Sequence, residues 1–257
     1  MVGRTVVPVA DGHTGVTEAP RLGGRAGTAL LATVAFGVVD NLLTNLVLPE
    51  WAYVPYRVVT VSVVLLLAIR LGGLSWAELG LARQDLRRGL AWGGACMGVI
   101  GSVYLVGALL PATQDLFRDE RVANLSTAGV FYSALIAVPF GTVLAEELVF
   151  RGAVLGLGNR MWRTWIAVAA SSLLFGVWHV APAWNIYEVN PDAAELSASL
   201  PNAQAIGVAF AVGGTALAGV VFCWLRLVSR SLLAPMLLHV ATNSFGYLAA
   251  WLVLQTG

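Results

Sequence analysis

Short groups of polar residues interrupt three apolar stretches of the sequence. They are Glu146 and Glu147 with Arg151, Phe175 with His179, and His239 with Asn243. Removing a carboxylate, a guanidinium or an imidazole from water is costly unless the group is paired or lies in a hydrated cavity. Carboxylates and imidazoles also accept and donate protons, which is the chemistry that activates a water molecule. These residues are therefore the candidate functional residues.

The first group contains two acids for which we expect different roles. Residues four apart share one face of an α-helix, so Glu147 and Arg151 are predicted to form a pair that lowers the cost of burying both charges. Glu146 is rotated by about 100° on the same helix and has no partner nearby in the sequence. We expect Glu146 to accept a proton.

The other two groups follow the same four-residue spacing. Phe175 and His179 are predicted to share one helical face, and His239 and Asn243 another. Pro235 lies four residues before His239, where a proline inside a helix removes a backbone donor. It predicts a bend in the last helix just below the site, which would help to open a polar cavity within the membrane.

The composition defines the class of protein. Hydrophobic residues make up 58% of the chain, charged residues 11%, and the mean hydropathy is +0.78. These values are typical of an all-α, polytopic membrane protein. The fifteen basic residues are all arginines and the net charge is only +1, so no broad basic surface is predicted for nucleic acid.

Apolar stretches of membrane-spanning length occur seven times. We expect one helical membrane domain over residues 27–257, preceded by a mobile cytosolic tail at residues 1–26. The predicted spans are about 28–48, 52–70, 89–110, 129–157, 162–182, 204–226 and 231–254.

Arginine placement predicts the orientation of the spans, because cytoplasmic loops near helix ends collect positive charge. With the N-terminus in the cytoplasm, twelve of the fifteen arginines fall in inside segments. Only Arg57, Arg118 and Arg121 fall in outside segments, and the loop at 184–204 has acidic residues but no basic one. We expect an integral protein of a bacterial plasma membrane, in contact with lipid and with a cytoplasmic N-terminus.

Other polar and small residues within the spans predict helix packing. Asp40, Asn41 and Asn45 in the first span are expected to form hydrogen bonds between helices. Gly89, Gly93, Gly94 and Gly98 in the third span predict close contact with a neighbouring helix. The segment at 74–88, between the second and third spans, is either a short amphipathic stretch at the membrane surface or an ordinary loop.

The three motifs, E-E-x-x-x-R, F-x-x-x-H and H-x-x-x-N, occur in an order that resembles a known family. This is the CPBP family, which comprises the type II CAAX prenyl endopeptidases and their bacterial relatives, also called Abi proteins. The resemblance covers residues 129–250, and all three motifs are complete, including the proline before His239.

The resemblance implies an intramembrane endopeptidase that cleaves a peptide bond of a membrane-associated peptide or protein. Prenylation of that substrate is left open by the sequence. By the same resemblance, Glu146 and His179 activate water, His239 and Asn243 stabilise the oxyanion, and Glu147, Arg151 and Phe175 support them.

Two alternatives stay open at this stage. Glu146, His179 and His239 could together bind zinc, with a fourth position free for water. The sequence has no H-E-x-x-H motif, and zinc would leave Glu147 as the base although it is placed to pair with Arg151, so we favour no cofactor. The second alternative is a non-catalytic membrane protein, for bacteriocin immunity or for transport, although transport is less favoured because no repeated halves are evident.

Overall fold

The computed structural model describes residues 24–184 and 202–256 of the chain. These residues form helices and short connections, with no β-strand among them. Within this part of the chain, seven helices are long and apolar enough to cross a membrane, which confirms the predicted all-α membrane fold. We number them α1 (Arg25–Leu46), α2 (Glu50–Leu71), α3 (Arg83–Leu109), α4 (Thr127–Met161), α5 (Thr164–Ala183), α6 (Gln204–Ser229) and α7 (Leu233–Gln255).

The predicted spans differ from the observed helices mainly at their ends. The predicted tail at residues 1–26 lies largely outside the described residues, although Arg25 and Ala26 already belong to α1. Most of the acidic loop predicted at 184–204 also lies outside them. The organisation as one domain remains a prediction.

The longest helix, α4, runs through the centre of the bundle. It packs against α1, α2, α5 and α7, and every residue from Ala145 to Gly158 is buried. A helix that is covered on all sides needs apolar residues around its whole circumference, which this stretch supplies except at Glu146, Glu147 and Arg151. The first polar group is therefore held in a fully buried part of the bundle.

Two parts of α4 are wound as π-helix rather than α-helix. Ser133–Val143 and Leu148–Val154 have this wider winding, and they flank one α-helical turn, Leu144–Glu147. Such windings are rare and are frequent at functional sites. They were not predicted, because the apolar residues on either side would suit an α-helix equally well. The two glutamates thus lie between two wide turns.

The connection between α2 and α3 folds into one end of the bundle. Leu74 and Leu79 are 2% and 0% exposed, and Gly80 adopts a positive φ of 79° so that its carbonyl can accept a hydrogen bond from the backbone N–H of Leu232 at 2.8 Å. This part of the segment at 74–88 is therefore a packed loop and not an amphipathic helix lying on the membrane surface.

The contact between Gly80 and Leu232 also explains how α7 reaches the site. Ser229, Ser231 and Leu232 in the α6–α7 turn are all fully buried, so α7 begins inside the bundle and not at its surface. Pro235 lies in the first turn of α7, where the backbone N–H has no acceptor within the helix and proline is tolerated. The bend that we predicted at Pro235 is therefore wrong, because this proline helps to start the helix.

The glycines of α3 face α7 on one side only. A Cβ atom added to Gly93 would lie 2.9 Å from the side chain of Leu237 and 3.0 Å from the backbone of Ala234, whereas one added to Gly94 or Gly98 would meet nothing within 4 Å. The predicted close packing is confirmed for Gly93, and its partner is the helix that carries the third motif.

Candidate active site

Glu147 lies at the centre of a buried group of charges. Its Oε1 atom is 3.1 Å from Nη1 of Arg151 and 2.8 Å from Nδ1 of His239, and both Glu147 and Arg151 are fully buried. The predicted pair of Glu147 and Arg151 is confirmed. One carboxylate oxygen therefore joins the first motif to the third across 92 residues of sequence.

Aromatic rings surround the guanidinium of Arg151. Its Cζ atom lies 4.0 Å from the centre of the Phe175 ring and 4.8 Å from that of Phe222. Phe222 also stacks on His239, with ring centres 5.0 Å apart. Since ring faces attract a cation, especially where water is excluded, these rings help to stabilise the buried charge. Phe175, the first residue of the second motif, thus packs against the first motif.

Glu146 points in a different direction from Glu147. Its Oε1 atom accepts a hydrogen bond from Nε1 of Trp178 at 3.0 Å, whereas its Oε2 atom is buried without a hydrogen-bond partner. Nε2 of His239 lies 3.8 Å from Oε2. A buried carboxylate oxygen without a partner is costly, and a water molecule or a substrate group would satisfy it.

His179 lies at the end of the long helical part of α5. Its Nδ1 atom is 2.8 Å from the carbonyl oxygen of Phe175, and because a carbonyl only accepts, Nδ1 must carry the hydrogen. In the neutral ring this leaves Nε2 with a free lone pair. The second motif therefore presents a ring nitrogen that can accept a proton.

A cavity of about 980 Å³ joins these groups. Glu146, His179 and Asn243 line it, as the sequence analysis predicted for a polar cavity within the membrane. His239 is only 4% exposed and lies behind Glu146, bonded to Glu147. Residues from three separate helices therefore converge, with three of the four predicted catalytic side chains on the cavity wall and the fourth in contact with Glu146.

Two residues near the site were not predicted. Trp178 donates its indole N–H to Glu146, and its own backbone carbonyl accepts a hydrogen bond from Asn41 of α1 at 3.2 Å. This bond confirms one of the contacts between helices expected for the first span. Trp178 lies one residue before His179, within the second motif, but nothing in the sequence indicates that its N–H meets a carboxylate.

Arg57 is the second residue that was missed. It was assigned to an outside segment, which is wrong, because it lies within α2 and is 4% exposed. Its Nη1 atom is 2.6 Å from Oδ2 of Asp40, whose other oxygen accepts a hydrogen bond from Thr60 at 2.6 Å. Arg57 lines the cavity as well. The clue was Asp40 itself, since a carboxylate inside a span needs a cation nearby.

A zinc site was the alternative use of these residues. Within residues 24–184 and 202–256, no three His, Cys, Asp or Glu side chains are grouped so that they could hold one metal ion. Among the described residues these side chains are therefore not grouped as a metal site, and we derive no step through a metal ion.

A buried acid, two imidazoles and an amide thus lie at or next to a cavity in a bundle of membrane-spanning helices, a set of groups that is typical of a hydrolase site. Residues 128–245 match the family model described as type II CAAX prenyl endopeptidase, Rce1-like, and all three motifs fall inside this match. Over these residues the chain is similar to that family. Similarity to this family supports, at the level of the family, an intramembrane endopeptidase of the CAAX-processing type that acts on a peptide or protein. No curated protein and no solved structure matches the chain.

Proposed function

We propose that this protein hydrolyses a peptide bond of a membrane-associated peptide or protein, with a water molecule activated by Glu146 and His179. The observation that carries the proposal is the buried Oε2 atom of Glu146, which has no hydrogen-bond partner and belongs to a residue of the cavity wall. A general base must form a hydrogen bond to the proton that it removes, and this oxygen has no other hydrogen bond to give up.

The reaction begins when Glu146 removes a proton from water, assisted by the lone pair of Nε2 of His179. The resulting hydroxide adds to the carbonyl carbon of the substrate and forms a tetrahedral intermediate with a negative oxygen. The proton held by Glu146 then passes to the leaving nitrogen as the carbon–nitrogen bond breaks. The products are one new carboxylic acid and one new amine, and Glu146 is again a carboxylate, so atoms and charges balance.

Asn243 and His239 are the proposed donors to the negative oxygen. The amide of Asn243 lines the cavity and can donate directly. Since Nδ1 of His239 donates to Glu147, its Nε2 atom can also donate only when the ring is doubly protonated. In that form, the charges of the two glutamates, of Arg151 and of His239 sum to zero. One donor of this kind is typically worth about 3 to 4 kcal/mol of transition-state stabilisation.

The mechanism uses no metal ion, and a metal assay tests this choice. The purified protein should be cleared of metal with a chelator, and its cleavage of a membrane peptide compared before and after zinc is returned. We expect no change in rate. Stoichiometric zinc whose removal abolishes cleavage would replace this mechanism with the metal-dependent one.

The deciding experiment compares the membrane peptides of cells that carry the natural protein or the Glu146→Gln variant. Peptides that accumulate uncut only with Glu146→Gln identify the substrate, and their mass reveals whether they are prenylated. Glu50→Gln is the matched control, because Glu50 is exposed at the start of α2 and does not line the cavity. If Glu146→Gln leaves every peptide and every phenotype unchanged, the protein is not a hydrolase, and an immunity or transport role takes its place.

A further inference from the structure

The cavity opens towards one end of the helical bundle. Asn45 and Pro182 on its wall lie one residue before the ends of α1 and α5, and Ala250 lies in the last third of α7. Leu116 belongs to the connection between α3 and α4 and also lines the cavity. Because successive helices alternate in direction, these four positions lie at the same end.

The opposite end of the bundle is closed by packed loops. Arg160, at the end of α4, pairs with Glu78 at 2.7 Å, and Arg226, at the end of α6, donates to the backbone carbonyl of Glu78 at 2.8 Å. The side chains of Leu74 and Leu79 fill the space beneath these contacts. None of these residues lines the cavity.

The closed end carries most of the arginines among the described residues. Among the described residues it has two acids, Glu78 and Asp85, and nine arginines: Arg25, Arg70, Arg83, Arg87, Arg88, Arg160, Arg163, Arg226 and Arg230. The open end has two arginines, Arg118 and Arg121, and four acids, Glu50, Asp115, Asp119 and Glu120. Loops rich in arginine stay in the cytoplasm, so the charge difference directs the closed end inwards.

We propose that the cavity takes its substrate from the outer side of the membrane, so that the bond to be cut belongs to an exported peptide or to the outward tail of a membrane-anchored protein. The proposal rests on the proposed function where it names a substrate. The direction in which the cavity opens depends only on the position of the cavity and on the arginines. It requires that a translocation step precede cleavage, since the substrate must first cross the membrane.

Cysteine labelling in intact spheroplasts tests the direction of the opening. The background should carry Cys96→Ala and Cys223→Ala, so that each added cysteine is the only target for a charged, membrane-impermeant maleimide. Leu116→Cys reports the mouth, Val103→Cys the cavity wall and Trp76→Cys the closed end; the natural side chains are 79%, 60% and 56% exposed. Leu135→Cys, on the outer face of α4 and away from the cavity, is the lipid-facing control.

We expect the mouth and wall cysteines to be labelled in intact spheroplasts, and the Trp76→Cys protein only after the membrane is permeabilised. The lipid-facing cysteine should stay unlabelled in both states. Labelling of the Trp76→Cys protein in intact spheroplasts, with protection of Leu116→Cys, would overturn the proposal because the bundle would have the opposite orientation. Labelling of the mouth without the wall would overturn it too, because the cavity would not be open to water from that side.

Failure of this proposal can be told apart from failure of the proposed function. Labelling does not require catalysis, so the same pattern should appear when Glu146→Gln is added to each cysteine variant. A cavity that is labelled from outside in a protein that cleaves nothing would refute the hydrolase and leave the orientation standing. A protein that cleaves peptides but is labelled from the cytoplasmic side would do the reverse.

Discussion

Nδ1 of His239 lies 2.8 Å from Oε1 of Glu147, and the same oxygen lies 3.1 Å from the guanidinium of Arg151. This single carboxylate therefore sets the orientation of the imidazole whose other nitrogen faces Glu146. Adjacent glutamates on one helix thus have different partners. Glu147 holds the neighbouring groups in place, whereas Glu146 lines the cavity.

Replacing Arg151 by Ala should reduce the amount of folded protein. The change leaves Glu147 buried with no guanidinium beside it, and breaking a buried pair from one side typically costs about 3 to 5 kcal/mol. Thermal unfolding of the detergent-solubilised protein should show a clear loss, and less protein should be recovered from membranes. By contrast, Glu146→Gln and His179→Ala should abolish cleavage while leaving the recovered amount unchanged.

A double variant separates charge from packing at the same place. In Glu147→Gln with Arg151→Met neither charge remains, and methionine keeps much of the contact with Phe175. Its unfolding temperature should therefore exceed that of Arg151→Ala. Equal losses in the two variants would mean that the volume of the side chain, and not the unpaired carboxylate, decides stability here.

Replacing Trp178 by Phe should weaken cleavage without unfolding the protein. Phenylalanine keeps an aromatic ring but removes the N–H that bonds Oε1 of Glu146, and a hydrogen bond to a charged group is worth about 1.5 to 3 kcal/mol. The rate of cleavage per enzyme should fall by roughly tenfold to a hundredfold on that basis. Trp165→Phe is the matched control, because Trp165 is 67% exposed on α5 and does not line the cavity. Similar rates for the two variants would show that the indole does not position Glu146.

The sequence predicts contacts within a helix better than contacts between helices. The pair of Glu147 and Arg151 follows from four-residue spacing, which is fixed by helix geometry. The hydrogen bond from Trp178 to Glu146 depends on how α5 packs against α4, and no local pattern records that. Arg57 was misplaced for the same reason, because its partner Asp40 lies on another helix.

The depth at which the third motif lies in the bundle also depends on contacts between helices. If α5 and α7 began at the same membrane surface, His179 and His239 would lie at different depths, because His239 is only eight residues from Ser231 whereas His179 is near the far end of α5. The structure resolves this difference because the α6–α7 turn is buried beneath the loop that contains Gly80. Hydropathy gives the number of spans correctly, but the level at which a helix begins depends on what covers its end.

The ion pair of Asp40 and Arg57 should stabilise the folded protein at the cavity wall. In Asp40→Asn the guanidinium of Arg57 remains buried without its carboxylate, so we expect a loss of about 3 to 5 kcal/mol in stability. Thr60→Val removes only one hydrogen bond to Asp40 and should cost less, about 1 to 3 kcal/mol. Thermal unfolding of both variants in the same detergent measures the difference. Equal effects would show that Arg57 finds another partner or water.

Two neighbouring glycines of α3 provide a test of the helix packing that supports the third motif. Gly93→Ala forces a methyl group against the backbone of Ala234 on α7, whereas Gly94→Ala enters open space. We expect Gly93→Ala to lower the unfolding temperature. Gly94→Ala should be neutral or stabilising by up to about 1 kcal/mol, because alanine favours a helix over glycine. A harmless Gly93→Ala would show that α3 and α7 are farther apart than the structure has them.

The pairing of Glu78 with Arg160 should make the closed end sensitive to acid. The hydrogen bond from Arg160 is the main cause that lowers the pKa of Glu78 from 4.5 to about 2, and bonds from Ser75 add to it. Because the pKa is lower in the folded state, this stabilisation is complete above about pH 4.5 and is lost as the pH falls towards 2. Both side chains are more than one third exposed, so the effect should stay below about 1 kcal/mol and shrink in high salt. Unfolding temperatures of the natural protein and Glu78→Gln should therefore differ slightly at neutral pH and converge in acid, and a gap that is independent of pH would mean that Glu78 acts through its bond to Ser75 and not through its charge.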